Sequence, residues 1–247
     1  ASFEYKRQTN IKGGKKMRTN QFNQPIGENL THYHLFKYPD ARCIKGQYGQ
    51  LVKLSIKHID DLYNELCDTS SEANWTYLYD GPFYDKDSFT TYIEQLIDNK
   101  EKYFFVIQDI DTQKSLGLLA LMRINPLHGT IEVGNVHYSN TLKHTRIATD
   151  IQYILAKYVF ETLGYRRYEW KCDNLNLSSK HAAERLGFKF EGIFRQSNIY
   201  KGRNRDTAWF SMLDYEWPEI KERFVKWLAP SNFNEHQEQI RHLKDFS

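Results

Sequence analysis

From Gln50 onward the hydrophobic positions of this chain change period often enough to mark out its elements one after another. QLVKLSIK (Gln50 to Lys57) alternates Leu51, Lys53 and Ser55 with Val52, Leu54 and Ile56, the pattern of a half-buried strand. HIDDLYNELCD then places Ile59, Leu62, Tyr63 and Leu66 on one helical face. The aromatic stretch NWTYLYDGPF (Asn74 to Phe83) ends in Gly-Pro and predicts a loop. In DKDSFTTYIEQLIDNK, Phe89, Tyr92, Ile93, Leu96 and Ile97 recur at helical spacing behind an acidic start that suits the helix dipole. YFFVIQDI, SLGLLALMRI and IEVGNVHYS follow as three strands whose short connections predict an antiparallel meander.

A long helix is predicted from Ile147 to Gly164, with a stripe of Ile151, Ile154, Leu155, Tyr158 and Val159 and with Gly164 at its C-terminal end. YRRYEWKCD reads as the next strand. A whole helix separates it from IEVGNVHYS, so these two strands are predicted to be parallel neighbours joined by a crossover. NLNLSSKHAAERLGF is a polar break followed by a short helix; FEGIFRQSNIYKGRNRD and TAWFSML are two strands around the turn Lys201-Gly202. Beyond Trp217, Ile220, Phe224, Trp227 and Leu228 share one side of a helix opened by Pro218, and a further polar helix is expected from about Asn234 to Leu243. The expected organisation is a polar extension over residues 1–46, one domain over 47–215 and a helical extension over 216–247.

Composition narrows the class. The length of 247 residues suits one medium domain with appendages, and 40% hydrophobic with 15% aromatic residues argue against a disordered chain. No apolar run reaches the ~20 residues of a membrane-spanning helix, and ASFEYKRQTN lacks the apolar core of a secretory signal. The expected setting is cytoplasmic, with a nuclear one left open. Cys43, Cys67 and Cys172 are few, odd in number and far apart, which disfavours both a disulfide framework and a zinc site. A net charge of +3 does not argue for nucleic acid. The local basic run Lys6, Arg7, Lys12, Lys15, Lys16 and Arg18 reads as a solvated arm. His32-x-His34 has no third ligand placed beside it, so no metal site is expected.

The order of elements and the segment Arg167 to Leu213 carry a family likeness. Asn176-x-x-Ser179, Leu186-Gly187-Phe188 and Glu191-Gly192, behind the striped helix and the strand bearing Glu132, resemble the GNAT superfamily of N-acetyltransferases, in particular its RimJ/RimL branch. The likeness spans roughly Gln50 to Asp214. It implies an α+β fold, with a mixed, mostly antiparallel sheet of about seven strands flanked by helices. It also implies acetyl-CoA as donor, a primary amine as acceptor and direct attack without a covalent enzyme intermediate.

Carried onto this chain, the resemblance assigns roles residue by residue. The pyrophosphate loop would be Lys143, His144, Thr145, Arg146, Ile147, Ala148 and Thr149. The family pattern has glycine in the middle, where this chain has Arg146. Glu132 is the candidate base, with His137 as the alternative. Period-2 alternation puts Tyr138 on the face of Glu132 and His137 opposite, unless a bulge intervenes. Val136, His137 and Tyr138 would border the pantetheine arm, with a backbone N–H there stabilising the oxyanion. Ala183 stands where many family members have a tyrosine acid, so Ser179 becomes the candidate proton donor, and Asn176 would contact the cofactor amides. Ser178 and Ser179 also sit where an N-cap is wanted, and Asn176 also suits a turn. Trp75, Tyr77, Tyr79, Asp80 and Phe83 would form the acceptor wall. A covalent acyl-Cys172 is disfavoured, because Cys172 shares a strand face with Trp170 and reads as core. The rival readings are a non-catalytic CoA-binding or scaffold protein and, less favoured, a nucleic-acid-binding module.

Overall fold

The computed structural model of the chain describes residues 18–30 and 34–246. His32 and the basic residues Lys6 to Lys16 lie outside the described residues. The chain divides into two units, Ala1–His34 and Leu35–Ser247. In the first, the Asn20 side chain accepts the backbone N–H groups of Phe22 and Gln24, closing a turn across which Thr19 bridges Pro25.

The second unit is built on one eight-stranded sheet: β1 (Cys43–Lys45), β2 (Gly49–Lys53), β3 (Tyr103–Asp109), β4 (Ser115–Asn125), β5 (Thr130–Tyr138), β6 (Arg167–Asp173), β7 (Lys189–Tyr200) and β8 (Arg203–Leu213). Their spatial order is β1-β2-β3-β4-β5-β6-β8-β7. Every neighbouring pair is antiparallel except β5 with β6. The α+β, mostly antiparallel sheet is therefore as expected, with β1 as an added strand inside the stretch read as an extension. β2 stops at Lys53 rather than Lys57, because Ser55 starts a helical turn in which its N–H is taken by Nδ1 of His58 at 3.1 Å.

Helices cover both faces. α1 (Ile59–Tyr63) runs on in wide turns to Asp68, and α2 (Lys86–Asp98) is capped by Asp85, which accepts Ser88 N–H. α3 (Arg146–Lys157) is prolonged by a wide turn over Tyr158–Thr162 and ends at Gly164, whose φ of 74° needs a glycine. α4 (Leu177–Leu186) and α5 (Trp217–Leu228) complete the set. Alternation along β4 sends Leu119 and Leu121 into the core beneath α3, α4 and α5, and Leu118 and Ala120 into the core beneath α1 and α2. Each fully buried leucine or phenylalanine contributes roughly 1.5–3 kcal/mol.

The polar helix expected over 234–243 does not form. The Asn234 side chain instead accepts the backbone N–H groups of His236 and Glu238, and Phe233 bridges Gln239. An asparagine that satisfies backbone donors locally competes with a helix for them. No helix among the described residues is long and apolar enough to cross a membrane.

Candidate active site

β5 and β6 are hydrogen-bonded only from Thr130 to Val133 and from Arg167 to Trp170, although β5 runs on to Tyr138 and β6 to Asp173. The strands part because β5 is bulged. Leu118 lies opposite His137 and Ala120 opposite Gly134, so β5 contains one residue more than β4 there, and Asn135 takes φ 49°. A second irregularity sits in β4, where Arg123 takes φ 45° between the pairs Met122–Glu132 and Asn125–Thr130. Such left-handed non-glycine residues cost of order 1–3 kcal/mol each and gather at functional sites.

The bulge overturns the expected facing of two residues. It returns His137 to the face of Leu118, Ala120 and Glu132, and sends Tyr138 to the other, where Gln152 of α3 donates to its hydroxyl at 2.7 Å. His137 is buried with its ring 4.2 Å from that of Trp75, and neither ring nitrogen has a hydrogen-bond partner. Burial, followed by the charge of Lys143, pushes its pKa down to about 3. It is neutral and does not line the cavity described next, so it is badly placed as the alternative base.

A cavity of ≈180 Å³ occupies the strand gap and takes its lining from both sides of the sheet. Trp170, Cys172, Asn176 and Ser179 contribute from the α4 side. Glu132, Lys171, Asp173, Arg123 and Arg205 contribute from the other, under the loop carrying Tyr77 and Tyr79. Two molecules could thus approach one point from opposite faces.

The polar side is organised by a ladder of charges. Glu132 and Glu169 are cross-strand partners, a repulsive pairing that Lys171 resolves by placing Nζ 2.8 Å from Glu132 and 2.7 Å from Glu169. Nη1 of Arg123 donates to both carboxylate oxygens of Glu132 at 2.8 Å. Arg167 extends the ladder through Glu169 to Glu191, whose pKa falls to about 2 chiefly through Arg167. Nζ of Lys171 also lies 3.7 Å from the centre of the Trp209 ring. Glu132 and Lys171 are both almost fully buried, so each depends on the other. Neither Lys171 nor Arg123 was singled out by sequence reasoning. The signal for Lys171 was the alternation Arg167, Glu169, Lys171 along one face of β6; Arg123, at the irregularity of β4, had no such signal.

Across the gap, Asn176 caps α4 by accepting Ser179 N–H at 3.1 Å. Nε1 of Trp170 donates to Oγ of Ser179 at 3.0 Å, so the serine accepts there and its own proton is directed toward Cys172. Burial raises the Cys172 thiol, with an opposing hydrogen bond from Ser179, so it is a poor nucleophile.

The loop Leu142 to Thr149 does not line the gap but feeds α3. Thr145 caps the helix by accepting Ala148 N–H, and His144 takes φ 63°. The remaining first-turn N–H groups have no partner within the helix, as at any helix start. The Arg146 guanidinium lies 4.1 Å from the Tyr48 ring centre and 5.8 Å from that of Phe233, held aside by aromatic rings. Buried Asp150 accepts the N–H groups of Tyr48 and Gly49, tying this helix to the turn before β2.

The aromatic loop is divided. Tyr77 and Tyr79 line the cavity, with Tyr77 donating to the Leu175 carbonyl at 3.3 Å. Trp75 and Phe83 turn instead into the core with Tyr92, and Asp80 is exposed outside the cavity. Lys201 and Arg203 donate to the carbonyls of Trp75 and Thr76, pinning this loop to the β7–β8 hairpin. Asp206 likewise accepts Gln196 N–H, a contact that ties the two strands of this hairpin together. No cluster of metal-ligating side chains occurs among the described residues.

Residues 50–189 match the model of the acetyltransferase (GNAT) domain. The chain is 40% identical to a GCN5-related N-acetyltransferase from Brucella melitensis, over 88% of this chain and 99% of that one, with a TM-score of 0.86. A structure described as a probable GNAT-family acetyltransferase, from Chromobacterium violaceum, is 37% identical over 79% of this chain and 98% of that one, with a TM-score of 0.74. The microcin C7 self-immunity acetyltransferase MccE, solved with acetyl-CoA and AMP, shares the fold at 20% identity and a TM-score of 0.58, over 67% of this chain and 92% of that one. No curated protein sequence matches the chain.

Proposed function

The chain belongs to the GNAT acetyltransferases and is an acyltransferase; from that premise we propose that it moves the acetyl group of acetyl-CoA onto a primary amine by direct attack, in the manner of the RimJ/RimL branch. The observation that carries this reading is the cavity at the strand gap, lined from both faces of the sheet. The thioester would enter from the side of α3 and α4, and the amine from the side of Glu132. The first turn of α3 suits the diphosphate, since its amides and N-terminal dipole favour anions. Arg146 would add a charge there without crowding the loop, because Tyr48 holds its guanidinium aside.

Acetyl-CoA supplies the activated acyl group; the rest falls to the protein. Glu132 would accept the amine proton, through a water where the amine does not reach it. Arg123 and Lys171 hold the carboxylate in one orientation for that purpose. A backbone N–H of the β5 bulge, at Val136, which lines the cavity, would face the carbonyl oxygen of the acetyl group. The Ser179 hydroxyl would give its proton to the departing sulfur, and the Trp170 N–H on its oxygen strengthens it as a donor. Asn176 would border the amides of the pantetheine arm. A cytoplasmic setting and a domain over residues 47–215 with appended ends fit this reading.

The test is thiol release from acetyl-CoA over a panel of amines, with mass spectrometry of the product. Calorimetric binding of acetyl-CoA without thiol release on any amine would favour a CoA-binding scaffold and overturn the proposal.

A further inference from the structure

Charge in the acceptor half of the cavity is unbalanced. Lys102, Arg123, Lys171 and Arg205 line it, against two carboxylates, Glu132 and Asp173. Arg123 and Lys171 are both spoken for by Glu132. Lys102 and Arg205 form no ion pair within 4.0 Å among the described residues. Lys102 donates instead to the neutral side chain of Asn135 at 3.1 Å, at the bulge itself. Nε of Arg205 donates to the hydroxyl of Thr207 at 3.2 Å, and its guanidinium lies 5.4 Å and 5.7 Å from the rings of Tyr79 and Tyr200. Arg205 is itself buried, at 9% exposure. Asp173, the carboxylate of this lining that Arg123 and Lys171 leave over, accepts the Tyr200 hydroxyl at 2.6 Å and forms no ion pair with Arg205. A buried cation without a directly paired carboxylate is costly, and a ligand anion would offset that cost.

Resting on the acetyl-transfer reading above, we infer that the acceptor is an amine carrying an anionic group, a carboxylate or a phosphate, which Arg205 and Lys102 bind. The aromatic rings of Tyr77 and Tyr79 form the adjoining wall. Such a site discriminates against polyamines and basic peptides, whose second positive charge meets like charges. It also assists the chemistry. Cations around the bound amine disfavour its protonated form, so more of it is present as the free nucleophile. The surplus positive charge therefore selects the acceptor at one end and prepares it at the other.

Two matched pairs of amines test this on the intact chain: a tripeptide with a free C-terminal carboxylate against its C-terminal amide, and phosphoethanolamine against ethanolamine. In at least one pair kcat/KM for the anionic member should exceed that of the neutral one by at least about tenfold, the size of one charged hydrogen bond. The pair that responds identifies the anion. Arg205→Gln and Lys102→Gln should each shrink that ratio, whatever they do to the absolute rate, and circular dichroism shows whether each variant is folded. Equal or better rates with the neutral members, or a preference for a polyamine such as spermidine, overturn the inference while leaving acetyl transfer standing. Absence of thiol release with every amine removes the acetyl-transfer reading and the inference with it.

Discussion

Strand β5 is two different structures end to end. From Thr130 to Val133 it is bonded to β6 in register, and its side chains alternate cleanly between the apolar core and the charged ladder. From Gly134 to Tyr138 it leaves its parallel neighbour, takes a left-handed residue at Asn135 and borders a cavity. The paired half is scaffold, satisfied by sheet hydrogen bonds and by Lys171 between two carboxylates. The parted half exposes the groups that the scaffold positions. One bulge separates the roles, which places a reaction at a sheet interior without dismantling the sheet.

Glu132 stands at the joint between the halves, so its replacement should break the comparison most. Glu132→Gln is expected to lower kcat/KM by about 10²-fold or more. The loss should be greatest below the amine's own pKa and fade above it, where the free amine needs no base. It should also destabilise the fold, by less than the about 3–5 kcal/mol of a fully broken buried pair, since Lys171 keeps Glu169 as a counter-charge. A pH–rate profile and denaturant melts separate the two effects; an unchanged rate would remove Glu132 from the chemistry.

His137 sharpens the contrast by pH. Its folded pKa, near 3, lies below the ordinary value of 6.5, so the unfolded chain takes up a proton that the folded chain refuses. Stability should therefore fall as pH drops below 6.5 towards 3, by about 2 kcal/mol at pH 5 from this residue. His137→Phe should flatten that fall relative to wild type. Parallel melting curves for the two proteins from pH 7 to pH 4 would contradict the assignment.

Ser179→Ala should lower kcat about tenfold and leave acetyl-CoA affinity nearly unchanged, while stranding Trp170 Nε1 at a stability cost of about 1–3 kcal/mol. Replacing acetyl-CoA with a donor whose leaving thiol is more acidic should restore part of the rate if Ser179 supplies the proton. Arg146→Gly should have the smallest effect. It loses a stacking contact with Tyr48 worth about 0.5–1 kcal/mol, and should make acetyl-CoA binding less sensitive to salt. An unchanged salt dependence would mean that the guanidinium does not act on the diphosphate.

Much of this was readable beforehand because it depends on neighbours in the chain. The long striped helix between two strands predicted their parallel pairing, which is present, whereas the cap on α4, expected of Ser178 or Ser179, is supplied by Asn176. The paired half of β5 also follows its alternation. The parted half does not: one extra residue reversed Tyr138 and His137, and nothing local marks Asn135 as the place for it. Trp75 and Phe83 share a loop with Tyr77 and Tyr79, yet only the latter two reach the cavity, because the core beneath α2 takes the others. β1 escaped notice because three residues carry too little pattern to stand out before their partner strand is known.

Taken alone, the sequence determined most of the order of strands and helices between Gln50 and Leu228, since this follows from periods of two and 3.6 residues and from contacts a few positions apart. Tertiary structure decided which charges meet. Arg123, Glu132, Lys171 and Arg205 come from four different strands, and register across a bulged sheet sets their spacing. Register is a property of pairs of strands, because each hydrogen-bond ladder aligns residues far apart in the chain, and no single segment contains it.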